Sequence, residues 1–91
     1  MSVIIVVPTA LRRFAGNCEQ LEVDADRVDL ALQEAIRRHP GLEPKLFGQN
    51  GKLRGFNLIF VNAKDIRHLQ QEMTAVVPGD TITIIPALAG G

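Results

Sequence analysis

The chain has 91 residues, a formal net charge of +0 and a pI of about 6.7, with 46% apolar and 22% charged residues. That length holds one domain, which buries around two-thirds of its unfolded surface, and the balance of apolar and charged residues excludes a disordered chain. Zero net charge supplies no general attraction to nucleic acid or anionic lipid, and no apolar run approaches the ~20 residues of a membrane-crossing helix.

Met1-Ser2-Val3-Ile4-Ile5 carries no basic segment before its apolar stretch, so no signal peptide is expected. Val3 to Val7 is a continuous β-branched run closed by Pro8, which reads as a central strand with both faces apolar. Thr9 to Phe14 follows as a loop or short turn, and Gly16-Asn17 marks a reversal. Cys18 is the only cysteine, which excludes an internal disulfide and fits a reducing cytoplasm. With no His or Lys beside it, Cys18 reads as a half-buried residue at a strand edge rather than a nucleophile. Gln20 to Asp24 alternates polar and apolar residues and predicts a second strand with one wet face.

Asp26 is the expected N-cap of a helix, and Asp29 adds negative charge at the positive end of its dipole. Val28, Leu32, Ala35 and Ile36 share one helical face, cations gather at Arg37, Arg38 and His39, and Pro40-Gly41 stops the helix. Leu42 to Phe47 suits a single helical turn, and Gly48 to Gly51 a loop. Asn57 to Val61 is a strong strand, Asn62-Ala63-Lys64 turns the chain, and Asp65-Ile66-Arg67 reads as a short edge strand. Pro78-Gly79-Asp80 is a turn, and Thr81 to Ile85 alternates cleanly as the last strand, ended by Pro86.

This order suits a β-grasp fold of the α+β class, a mixed sheet of four to five strands packed on one main helix. The opening and closing strands then pair side by side in the middle, where burial is deepest. Residues 1–86 are expected to form the domain, and residues 87–91 a flexible diglycine tail.

Acidic residues concentrate at Glu19, Glu22, Asp24, Asp26, Asp29 and Glu34, and basic ones follow from Arg37 to Arg67. The surface is therefore an ordinary solvated one or carries an acidic and a basic pole. Catalytic machinery is not evident. The only serine is Ser2, no Cys/His/Asp/Glu spacing supports a metal at His39 or His68, and Gly48 and Gly51 lack the Lys-Ser/Thr of a phosphate loop. One cysteine cannot hold an iron–sulfur cluster, and four Phe without Trp or Tyr make no platform for bases. The chain does not read as an enzyme.

The distinctive feature is the end, Ala89-Gly90-Gly91. Glycines without Cβ can thread a narrow channel, which delivers the Gly91 carboxylate into another protein while the domain docks outside. Alternation adds a docking surface: with Ile82 and Ile84 inward, Ile85 faces out, and with Leu58 and Phe60 inward, Ile59 faces out. Ile59 and Ile85 are thus the expected apolar patch beside the tail.

The Val/Ile strand running into Pro8-Thr9-Ala10-Leu11-Arg12, then Val61-Asn62 with Asp65-Ile66-Arg67, and above all the segment from Pro78-Gly79-Asp80 to Ala89-Gly90-Gly91, resemble the MoaD/ThiS family of ubiquitin-like sulfur carriers. The resemblance covers essentially the whole chain, and the flanks of the diglycine look most like the CysO branch, which serves cysteine biosynthesis. It implies that a ubiquitin-activating-like adenylyltransferase and sulfurtransferase uses Mg-ATP to adenylate Gly91 and replaces the adenylate with sulfur. The thiocarboxylate would then pass its sulfur to an activated serine on a cysteine-synthase-like acceptor, and a metalloprotease would release the product. The chain itself would bind no cofactor, nucleic acid or membrane, would work in the cytoplasm, and with nothing after Gly91 would need no trimming. The same features leave three alternatives: a protein modifier joined to lysines, a small subunit of an enzyme such as molybdopterin synthase, and a β-grasp binding module with an idle tail.

Overall fold

The computed structural model describes residues 2–53 and 57–86. The main elements are β1 (Val3–Val6), β2 (Gln20–Val23), α1 (Val28–Arg38), a one-turn α2 (Glu43–Leu46), β3 (Asn57–Val61), a two-residue β4 (Lys64–Asp65) and β5 (Thr81–Pro86). Short 3₁₀ turns fill the connections at Thr9–Phe14, Pro40–Leu42, Ile66–His68 and Gln71–Met73. The strands form one mixed sheet in the order β2-β1-β5-β3-β4. β1 and β5 run parallel at its middle, with Ile5 opposite Ile82, and the other pairings are antiparallel. This is the β-grasp arrangement that the element order predicts.

The sheet follows from its sequence. The β-branched residues of β1 and β5 suit the pleat, and their alternate residues Val3, Ile5, Ile82 and Ile84 are buried. α1 lies on that face with Val28, Ala31, Leu32 and Ala35 turned inward, as its helical spacing requires. Leu11, Leu42, Leu46, Ile66 and Val76 from the connections close the same cluster.

The helix starts differently from expectation. Asp26 does not cap it. Arg27 occupies the N-cap position with extended backbone, its φ −151° and ψ 149°, and offers no side-chain cap. The cause is tertiary: the Val76 N–H donates to the Asp26 carbonyl at 3.1 Å, the Val28 N–H donates to the Thr74 carbonyl at 2.9 Å, and Arg27 bridges Ala75. These bonds hold residues 26–28 extended against the loop before β5. Asp29 carries the negative charge of the first turn as expected. It accepts from the Leu30 N–H at 2.8 Å and from the Arg27 guanidinium at 2.7 Å.

The stretch Asp65-Ile66-Arg67 is an edge strand only as far as Asp65, whose carboxylate then accepts from the Arg67 N–H and begins a 3₁₀ turn. Cys18 is exposed rather than half-buried, because it lies in the reversal ahead of β2, where Gly16 and Asn17 have φ of 65° and 61°. Among the described residues, no helix is long and apolar enough to cross a membrane.

Candidate partner-docking surface

The chain leaves the sheet at Pro86, which pairs with Asn57 on β3. Ala89, Gly90 and Gly91, the tail residues singled out by the sequence, lie outside the described residues. What the structure defines is the surface around Pro86, the last described residue.

Cross-strand neighbours share a face, so register decides what that surface contains. Ile84 pairs with Ile59, and Ile82 with Val61. All four are buried, with Ile59 only 3% exposed. The expectation of an outward Ile59 is therefore corrected: it is a core residue. The run Leu58-Ile59-Phe60-Val61 is apolar at every position, so alternation gives it no parity, and the pairing with β5 supplies one. Ile85 faces out at 43% exposure, and its partner across the strands is Leu58. The outer face thus carries Ile85 with the half-buried Leu58, Phe60, Ile4 and Val6. Sequence reasoning missed Leu58 and Phe60. The exposed position of Ile85, carried across the register, would have found them.

The segments resembling a known family fall into two structural groups. Asn62 and Asp80 lie at the sheet end opposite Pro86 and bind each other. Asn62 Nδ2 donates to Asp80 Oδ1 at 3.1 Å, and Asn62 Oδ1 accepts from the Thr81 N–H at 3.0 Å. The second oxygen of Asp80 accepts from the Val77 N–H at 2.9 Å. Asn62 has φ 57°, a left-handed conformation that Asn tolerates better than most side chains. Gly79 between the strands has φ 94°, which favours glycine. These residues fasten the turn before β5 to the turn after β3. They set where β5 begins and hence where it ends.

Among the described residues, no group of three or more His, Cys, Asp or Glu side chains is placed to hold a metal ion. His39 closes α1 beside Gly16, and His68 ends a 3₁₀ turn. The carboxyls displaced from their ordinary range belong to ion pairs. Hydrogen bonds from Arg27, Arg37 and Arg67 hold the pKa values of Asp29, Glu34 and Asp65 below the usual values. Glu34 also meets Arg38. Asp29 and Glu34 of the expected acidic pole are thus paired with arginines.

The sequence profile of the ThiS family matches residues 5–91. The sulfur carrier protein CysO of Mycobacterium tuberculosis is 32% identical over 93 aligned residues, which cover 100% of both chains. A chain in the crystal structure of the Amycolatopsis orientalis BexX/CysO complex is 34% identical with a TM-score of 0.89, covering 98% of this chain and 99% of that one. Small archaeal modifier protein 1 of Methanosarcina acetivorans is 27% identical with a TM-score of 0.88, covering 99% and 96%.

Proposed function

The chain belongs to the ThiS family and is a ubiquitin-like sulfur carrier, and on that premise we propose that its cargo is carried as a thiocarboxylate on Gly91. The observation that carries this reading is the family match running through residue 91. A carboxylate is a poor electrophile until one oxygen departs on a better leaving group. A ubiquitin-activating-like partner supplies that group from Mg-ATP: the Gly91 carboxylate attacks the α-phosphorus, pyrophosphate leaves, and an acyl adenylate forms. Hydrosulfide then adds to the acyl carbon and expels AMP, and loss of its proton leaves the thiocarboxylate. No side chain of the carrier is needed for either step. Its own task is recognition, and the outer face around Ile85 and Leu58 is the docking surface.

The match to CysO over the whole chain supports cysteine biosynthesis as the destination of the sulfur, with a cysteine-synthase-like acceptor and a metalloprotease that releases the product. Such an ATP-dependent cycle belongs in the cytoplasm. The similarity to small archaeal modifier protein 1 favours a second reading, in which the activated Gly91 is captured by lysine amino groups of other proteins.

Intact-protein mass spectrometry after incubation with the activating enzyme, Mg-ATP and a sulfide source tests both. A gain of about 16 Da on the Gly91 peptide, one oxygen exchanged for sulfur, is the expected result. Adducts on lysine-containing proteins without that gain would favour the modifier reading. Neither product, with a partner active on another carrier, would leave a binding module or a resident enzyme subunit. A residue appended to Gly91 should abolish the gain, and Ile85→Asp should reduce it in a chain that loses some melting temperature but stays folded at the assay temperature.

A further inference from the structure

Arg27, Arg37, Arg38 and Arg67 each meet a carboxylate: Asp29, Glu34 twice, and Asp65. Arg12, Arg13, Lys45, Lys52 and Lys64 meet none among the described residues, and of these Arg13 and Lys45 share one aromatic ring, with Arg12 next to Arg13 in the chain. The Arg13 guanidinium lies 4.8 Å from the centroid of the Phe14 ring, and the Lys45 ammonium lies 4.9 Å from the same centroid. Two like charges over one ring repel each other. The negative face of the ring draws them in, and exposure of both side chains lets water screen the repulsion. Phe14 is itself packed against the core and borders Gly41, so the anchor is rigid.

This cluster sits at the end of β5. The Asn57 side chain donates to the Lys45 carbonyl at 2.9 Å, and Asn57 is the residue paired with Pro86. On the other side, β1 runs parallel to β5 and continues into the turn that holds Arg12, Arg13 and Phe14. Arg12 is fixed there by a 3.0 Å bond from its Nε to the Val7 carbonyl. The neighbouring carboxylates Glu19 and Glu43 form no ion pair with these cations. A chain of zero formal charge therefore presents a local positive collar beside the point where its tail departs.

We propose that Arg13 and Lys45, with Arg12 behind them, are the electrostatic half of the docking surface, and that they meet an acidic rim around the tail entrance of the activating adenylyltransferase. Ile85 and Leu58 supply the apolar half. The division of roles is physical. Apolar contact is short-ranged and cannot orient an approaching partner, whereas an unneutralised charge cluster acts over about a Debye length and selects the tail-first approach. The assignment rests on the sulfur-carrier reading above.

The test compares the wild-type chain with Arg13→Glu, Lys45→Glu, the double reversal and the double Gln substitution, as substrates of the adenylyltransferase. Adenylation is followed by pyrophosphate release at ~50 mM and ~500 mM salt, on either side of effective screening. At low salt the double reversal should lower kcat/KM by roughly 10- to 100-fold, with the loss in KM and each single reversal contributing about half of it in logarithmic terms. The Gln pair should fall between, and the gap should close at high salt. Melting temperatures should match, because the substituted side chains are exposed. Equal kcat/KM for the wild type and the double reversal at low salt would overturn the collar alone, as would a loss in kcat that salt leaves untouched. A wild-type chain that is never adenylated would overturn the carrier chemistry itself, and the collar with it.

Discussion

Ile59→Ala and Ile85→Ala, made separately, measure which face of the sheet belongs to the core. Each substitution removes three carbons, and full burial of each is worth about 0.8 kcal/mol. Ile59 is 3% exposed and stands opposite Ile84. It loses nearly the whole transfer energy of about 2.4 kcal/mol and leaves a cavity between sheet and helix, so the total should reach about 3–4 kcal/mol. Ile85 is 43% exposed; it loses about half the transfer energy and leaves no closed cavity, for a total near 1 kcal/mol. In a domain of this size, Ile59→Ala should lower Tm by roughly 15–25 °C and Ile85→Ala by about 5 °C. Urea unfolding checks this as a shift of the midpoint at constant slope. Equal losses, or a larger loss at Ile85, would refute the register argument and return Ile59 to the outer face.

Two further predictions concern the clamp and the ion pairs. Asn62→Ala should destabilise by about 2–3 kcal/mol, through loss of its bonds to Asp80 and Thr81 and a strained left-handed backbone, while Asn62→Gly should recover about half of that; urea melts of the two variants decide. Acid should weaken the fold in a stated direction. The carboxyls of Asp29, Glu34 and Asp65 have folded-state pKa values below the ordinary ones. The stability they add is therefore complete above those ordinary values and is lost as pH falls below about 4 towards the folded values. Unfolding free energies that stay flat from pH 7 to pH 3 would contradict the pairs, and Asp29→Asn should reduce the acid slope.

Much of the fold is legible in the sequence because its signals are local. β1 is a β-branched run stopped by a proline, and β5 alternates. α1 keeps its apolar residues on one face until Pro40-Gly41. The errors share a different origin. Asp26 looks like a cap because a carboxylate there has the right local chemistry, but the bonds from Val28 and Val76 to the loop before β5 outweigh it. Ile59 reads as outward in the sequence because four consecutive apolar residues fit either face equally well. Cys18 reads as a strand-edge residue because the left-handed Gly16 and Asn17, which keep it in the loop, show in the sequence only as a turn signal. The collar is less legible still: Arg13 and Lys45 belong to elements distant in sequence, and only the shared contact with Phe14 reveals them together.

Asn62 and Asp80, which lie in segments that resemble the family, hydrogen-bond to each other at the end of the sheet opposite Pro86. They touch nothing the reaction needs, yet they have a strong claim on function, because they fix the register in which β5 leaves the sheet. A one-residue slip of β5 would bring Ile84 to the outer face and turn Ile85 inward. A carrier whose reacting atoms belong to the main chain has no side-chain geometry with which to attract its partner. Selection must therefore come from the surface around the exit strand. The proposed surface combines an apolar face set by the parity of β3 and β5 with a cation cluster set by the packing of Phe14. Both depend on the core, so substitutions that loosen the core should impair recognition before they unfold the domain.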